Sequence, residues 1–302
     1  MEFKNIIGNT EVKDYLIKNI KQKNILHSYL FLGTAGIGKL LIAKEFAKNI
    51  LCLGNNEEDC MCKSCTCFNG LNHPDFYSIN EDGETIKVET IRNLTEKVIE
   101  KPIISNKKVY IINDCDKMTK EAQNCLLKTL EEPPEFAIII LISSNENVIL
   151  NTIKSRCMSV KFKNIDDENL LKYAKDVLGY QEVSENLLKS FYGSIGKAIK
   201  LKDSKEKYDE IDILVSNLTR KDIIDIMFDG KIIYDKENIY DILDYITVCL
   251  YSKYNENEKY IDCIKYVNEC ADRLKSNSNF DMTIDNLLFK MWEELNENSN
   301  RR

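Results

Sequence analysis

The stretch "HSYLFLGTAGIGKLLIAKEF", residues 27–46, limits what this chain can become more than any other. An apolar run of strand character enters a glycine loop, and a helical pattern follows at once. The loop fits G-x-x-x-x-G-K, with Gly33, Gly38 and Lys39 in place. Such a loop turns backbone N–H groups and a lysine toward phosphate at the start of a helix. It needs a buried strand before it and a helix after it, so the motif demands an α/β core. The flanking sequence agrees. "VYIIN" (109–113) and "FAIIILIS" (136–143) read as further buried strands. "MTKEAQNCLLKTLEE" (118–132) reads as a helix, with Met118, Ala122, Leu126 and Leu130 on one face and a stop at Pro133-Pro134. Strands alternating with helices imply a parallel sheet covered by helices on both faces.

The loop lacks its chemical partners. A phosphate loop of this kind ends in Ser or Thr, whose hydroxyl binds Mg²⁺. Here that residue is Leu40. A Walker B strand should end in Asp-Glu, but the matching strand ends Asn113-Asp114-Cys115-Asp116. Reading one residue further supplies Asp114 as a metal ligand and leaves Cys115 in the place of the general base. Either register leaves a gap in the oxygen shell that Mg²⁺ needs. Lys39 and the loop amides can still hold phosphate. Nucleotide binding without hydrolysis therefore stays open, while Mg²⁺-dependent turnover is not expected.

The second half differs in kind. All four prolines lie before residue 135, and helical spacing takes over after about residue 164. Leu170, Leu171, Ala174 and Leu178 form one stripe. Ile239, Leu243, Ile246 and Leu250 form another, and Ile261, Ile264, Val267 and Leu274 a third. Leu287, Leu288, Met291, Trp292 and Leu295 make a fourth, for a core or an interface. The net charge of −7 divides as +1 over residues 1–163 and −8 over residues 164–302, where the acidic excess reads as solvated helix faces. A chain of this charge is not a nucleic-acid binder along its whole length. No apolar run approaches a membrane span, and the N-terminus reads as no secretory leader. A cytoplasmic protein is expected.

Five of the eleven cysteines fall between residues 52 and 67: Cys52, Cys60, Cys62, Cys65 and Cys67. Thiolates this dense in a reducing compartment point to a closed, structural Zn²⁺ site. His73 is a conceivable further ligand, although "HPD" reads as a turn into the "FYSIN" strand.

Three stretches, "HSYLFLGTAGIGK", "QNCLLKTLEEPPEF" and "TIKSRC", resemble the matching boxes of bacterial clamp-loader proteins of the AAA+ class. The resemblance covers residues 1 to about 205 by motif and the remainder by helical character. It implies an AAA+ P-loop core with a parallel sheet at 1–163, carrying an inserted zinc module at about 52–67. A small helical lid at 164–207 and an all-α oligomerisation collar at 208–302 would follow.

Within that class, motor subunits carry a sensor arginine in a lid stretch similar to G-S-L-R-D-A-L. Here the stretch is Gly193-Ser194-Ile195-Gly196-Lys197-Ala198-Ile199, and Gly196 takes the arginine's place. Lys197 is one position away, which turns it by roughly 100° on a helix. The resemblance makes Ser155-Arg156-Cys157 the arginine-finger motif, with Arg156 reaching the ATP site of a neighbouring subunit. It also implies a zinc module of the form C-x8-C-x2-C-x2-C. This chain departs from that spacing: the second cysteine would fall on Asp59. The ligand set read here is Cys52, Cys60, Cys62 and Cys65, with Cys67 as an alternate. The implied function is a non-hydrolysing subunit that braces a loader ring. The implied partners are gamma/tau ATPase subunits and a delta subunit, with the sliding clamp and primer-template DNA reached through the complex. Two other readings are an ATP-driven gamma/tau-type motor subunit and a zinc-dependent nucleic-acid-binding module with a relic phosphate loop.

Overall fold

The computed structural model describes residues 3, 6–54, 60–81 and 83–296. It divides into two compact units, Met1–Asn169 with Gly193–Gly196, and Leu170–Tyr192 with Lys197–Arg302.

The first unit follows the order α1 (Thr10–Lys21), β1 (Ser28–Leu32), α2 (Lys39–Leu51), α3 (Lys63–Asn69), β2 (Phe76–Ile79), α4 (Val88–Val98), β3 (Lys108–Ile112), α5 (Lys120–Glu131), β4 (Ala137–Ser143), α6 (Asn151–Lys154) and β5 (Met158–Lys161). The five strands form one sheet in the order β2-β3-β4-β1-β5, every neighbouring pair parallel. In β1, β3 and β4 every residue is buried. A parallel sheet buried on both faces needs such continuous apolar runs, and those are the three strands the sequence announces. Alternation then sorts the side chains. Tyr29, Phe31, Val109, Ile111, Ile138 and Ile140 pack with α1 and α2. Leu30, Leu32, Tyr110, Ile112, Ile139 and Leu141 pack with α4 and α5.

Helix α5 matches the sequence reading of 118–132 to within two residues. Thr119 caps it by accepting from the N–H of Ala122 at 3.2 Å, and Met118, Ala122, Leu126 and Leu130 are all buried. Edge strand β5 has no such signal, because only Val160 of its four residues is buried.

In the second unit, α7 (Asp167–Asp176) and α9 (Ile195–Lys202) begin in the first unit's residues. α8 (Glu185–Ser190), α10 (Lys205–Asn217), α11 (Ile223–Asp229), α12 (Ile239–Ser252), α13 (Lys259–Lys275) and α14 (Phe280–Asn296) complete it. Helices α8, α10 and α13 pack on α12, and α14 packs on α11 and α13. The stripe Ile239, Leu243, Ile246 and Leu250 is buried as expected. Leu287, Leu288, Met291 and Leu295 are core residues, while Trp292 is half-buried and donates to the carbonyl of Lys221 at 2.9 Å. The α13 stripe is a correction. Of that stripe Val267 is buried, Ile264 and Leu274 are half-buried and Ile261 is exposed, while Tyr260, Cys263 and Cys270 fill the other inward positions. Tyrosine and cysteine occupy the inward positions, so counting aliphatics alone misplaced the face. Asp212 ties this unit together, accepting from Tyr245 at 2.7 Å, Asn186 at 2.8 Å and Cys249 at 3.1 Å. No helix among the described residues is long and apolar enough to cross a membrane.

Candidate functional site

The phosphate loop joins β1 to α2, with Gly38 at the N-cap in the left-handed region at φ 93°. Its lysine and several of its carbonyls are engaged inside the protein. Lys39 is buried, and its Nζ donates to the carbonyls of Gly33 at 2.6 Å and Thr34 at 2.7 Å. Burial lowers its pKa, with Asp114 and Asp116 opposing the shift. Leu40 is half-buried against the core. The Asn113 side-chain amide bonds the end of the neighbouring strand. It donates to the carbonyl of Asn80 at 3.2 Å, and Asn80 returns the bond to the carbonyl of Asn113 at 3.2 Å. Asp114 pairs with Lys117 at 3.3 Å, and Asp116 accepts from the N–H and Oγ of Ser144 at 3.1 and 3.3 Å. Cys115 is fully buried, which holds its thiol protonated.

The segment 193–196 lies on the loop itself. Gly196 N–H donates to the carbonyl of Gly36 at 2.9 Å, and Ser194 Oγ donates to that of Ala35 at 2.9 Å. A Cβ on Gly196 would sit 2.8 Å from Gly36 Cα, and one on Gly36 would sit 3.0 Å from Gly196 Cα. Real Cβ atoms essentially never come within 2.8 Å of backbone, so glycine at 196 is a steric requirement of this contact.

The cysteine module occupies the other end of α2. Cys52 is the C-cap of α2, and Cys62 is the N-cap of α3, its Sγ accepting from Cys65 N–H at 3.4 Å. The sulfurs of Cys52, Cys60, Cys62 and Cys65 all lie within 4.8 Å of one another, with Cys52 and Cys60 at 3.7 Å. Tetrahedral zinc–thiolate geometry needs sulfurs about 3.8 Å apart, so this donor set fits Zn²⁺. A Cβ on Gly54 would come 2.6 Å from Cys60 Sγ, so a larger residue there would have to displace that sulfur. Burial raises the pKa of Cys62, but N–H donors from Cys65 and Leu53 outweigh it and bring the thiol to about 6. Cys65 is shifted up by burial and by its sulfur neighbours. Cys67 lies outside the group, and Asp59 outside the described residues.

His73 is not among these ligands. Its Nδ1 accepts from Asp75 N–H at 3.0 Å, which places the proton on Nε2, 2.8 Å from Ser64 Oγ. Ser64 in turn donates to the carbonyl of Leu51 at 2.7 Å. Asp75 is fully buried and accepts from the N–H groups of Ile103, Ile104 and Ser105 at 2.6–2.8 Å. This network seats the module on the core.

Ser155 and Arg156 follow α6. Arg156 Nη2 lies 2.5 Å from Glu131 Oε1, and Nη1 donates to the carbonyl of Thr152 at 2.8 Å and to Ser155 Oγ at 3.3 Å. The segment leading into α6 is held by buried Gln123, which accepts from Leu150 N–H at 2.9 Å and donates to the carbonyl of Val148 at 3.2 Å. Cys157 packs against the α4–α5 core, and burial pushes its thiol up to about 12. Gln123 and Glu131 stand inside "QNCLLKTLEEPPEF", but the sequence does not say what they touch.

A phosphate loop on a parallel sheet of this order, followed by helices, defines an AAA+ P-loop fold. A solved gamma subunit-related protein of DNA polymerase III from Thermotoga maritima shares it. The TM-score is 0.54 at 18% identity, covering 93% of this chain and 99% of that one. The family model described as DNA polymerase III, delta subunit, matches residues 8–166. The chain belongs to this clamp-loader family of DNA polymerase III. It is 35% identical over 199 residues to the Bacillus subtilis DNA polymerase III subunit delta', covering 65% of this chain and 59% of the relative. It is 32% identical over 209 residues to the Haemophilus influenzae subunit tau/gamma, covering 67% of this chain and 30% of the relative. The match thus spans less than two thirds of either relative's length.

Proposed function

We propose that this chain is a non-hydrolysing clamp-loader subunit of the DNA polymerase III holoenzyme, of the delta-prime kind. It braces a ring of gamma/tau ATPase subunits and a delta subunit, which loads the sliding clamp on primer-template DNA. The observation that carries the reading is the backbone contact of Gly196 with Gly36. A motor subunit needs a sensor arginine where Gly196 stands, and this packing admits no side chain there. The inward bonds of Lys39 and Asn113 and the packing of Leu40 support the same conclusion. Gly33, Gly38 and Lys39 are then a vestigial nucleotide site. The similarity to a tau/gamma subunit favours a motor reading, but without an Mg²⁺ shell the chain has no route to hydrolysis.

In this reading Arg156, supported by Ser155, acts in trans on the ATP of a neighbouring subunit. Residues 164–207 serve as a lid and 208–302 as the assembly collar. Zinc on Cys52, Cys60, Cys62 and Cys65 is structural and cross-links the end of α2 to the start of α3. The test is ATP turnover by the purified chain. None above background is expected, and Mg²⁺-dependent turnover on the order of 1 s⁻¹ sinks the reading.

A further inference from the structure

Arg156 is tethered before any partner arrives. A guanidinium carries five N–H donors. Three of the contacts are made within the chain, to Glu131, Thr152 and Ser155. Two donors are left, enough for a two-pronged contact with a phosphate. The side chain is 32% exposed. Glu131 ends α5, the helix whose Gln123 fixes the Val148–Leu150 segment that enters α6. One helix therefore supports both the backbone that carries Arg156 and its head group.

We propose that Glu131 is a positioning residue for Arg156, holding the guanidinium in one orientation for a phosphate borne by another chain. The proposal rests on the finger reading above. A free arginine loses its rotamer freedom when it grips a phosphate, whereas a tethered one has lost it during folding. Ordering one such side chain is worth roughly two- to tenfold in rate or affinity. Glu131 is half-exposed, so solvent screens its charge from an approaching phosphate. Its carboxylate engages a single N–H of Nη2 and leaves the other free.

The test uses the full chain assembled with its ATPase subunits, reading DNA- and clamp-stimulated ATP hydrolysis. Arg156→Ala should show the largest fall. Glu131→Ala should lower kcat two- to tenfold and leave KM for ATP unchanged. Glu131→Gln keeps the shape and a neutral acceptor, so it should fall less than Glu131→Ala, and still below wild type because the neutral bond is weaker. In an Arg156→Ala background neither Glu131 variant should cause further loss. Wild-type or faster hydrolysis by both Glu131 variants, beside an impaired Arg156→Ala, overturns the positioning role and leaves the finger standing. Additive losses in the double variant also overturn it, because the carboxylate would then act elsewhere. Wild-type hydrolysis by Arg156→Ala removes both the finger and the proposal. Melting and assembly of each variant are measured alongside. If Glu131→Ala fails to assemble, the Gln variant and its double with Arg156→Ala decide.

Discussion

The two ends of α2 hold sites of opposite kind. At its N-terminus the phosphate loop keeps the glycines and lysine of a nucleotide site, yet Lys39 is satisfied by Gly33 and Thr34, and the loop carbonyls by Ser194 and Gly196. At its C-terminus the cysteine module departs from the spacing of similar modules, yet four sulfurs converge. Buried polar groups must find partners. At the loop, Lys39 and the carbonyls of Gly33, Thr34, Ala35 and Gly36 find their partners within this chain. At the module four sulfurs stand close enough for one metal ion to join them. A motif records residue types, whereas a site depends on which atoms folding leaves unengaged.

Zinc removal should break this comparison most strongly. One Zn²⁺ per chain is expected by elemental analysis, and structural zinc binding is worth on the order of 10 kcal/mol in small modules. Cys65→Ser should release the metal and lower the melting temperature sharply. A metal-free wild type of undiminished stability counts against the module. The matching test at the other end of α2 is Gly196→Arg. Overpacking against Gly36 should cost about 1–3 kcal/mol, read as a lower melting temperature, with no ATPase gained. A variant that melts like the wild type and is stabilised by ATP would show that the loop is not held by the 193–196 segment.

His73 gives a smaller, pH-dependent effect. Burial lowers its pKa from the ordinary 6.5, so the folded protein favours the neutral imidazole. Its contribution is full above about pH 6.5 and is lost as pH falls through the depressed folded value. His73→Gln should flatten that acid limb relative to wild type in melts between about pH 7.5 and about pH 5. An unchanged acid limb would remove His73 as the source. Smallest of all, Cys67→Ser should keep the zinc and stay within about 0.5 kcal/mol of wild type; loss of metal would put Cys67 in the ligand set.

Much of the first unit was legible because buried parallel strands and amphipathic helices repeat their apolar residues at short range. β1, β3, β4, α2 and α5 all carry that signal. β5 does not, since an edge strand with one buried residue has no pattern to read. The clustering of five cysteines at 52–67 was legible, while the convergence of Cys52, Cys60, Cys62 and Cys65 without Cys67 came from the fold, and His73 braces Ser64. The support of Arg156 was not legible. Either glutamate of "LEEPP" could have reached it, and only the end of α5 selects Glu131.

Residues near one another in the chain thus determined the buried sheet strands, most helix faces, the glycine loop and the clustering of thiols. Each is a property of backbone period or side-chain type over a few residues. Tertiary structure alone decided what the loop does with its polar groups. Ser194 meets Ala35 from 159 positions away, and no local period encodes that meeting. The glycine at 196 reads in sequence as a lost arginine. In the fold it is the one residue small enough for two backbones to touch, because any Cβ there would enter Gly36.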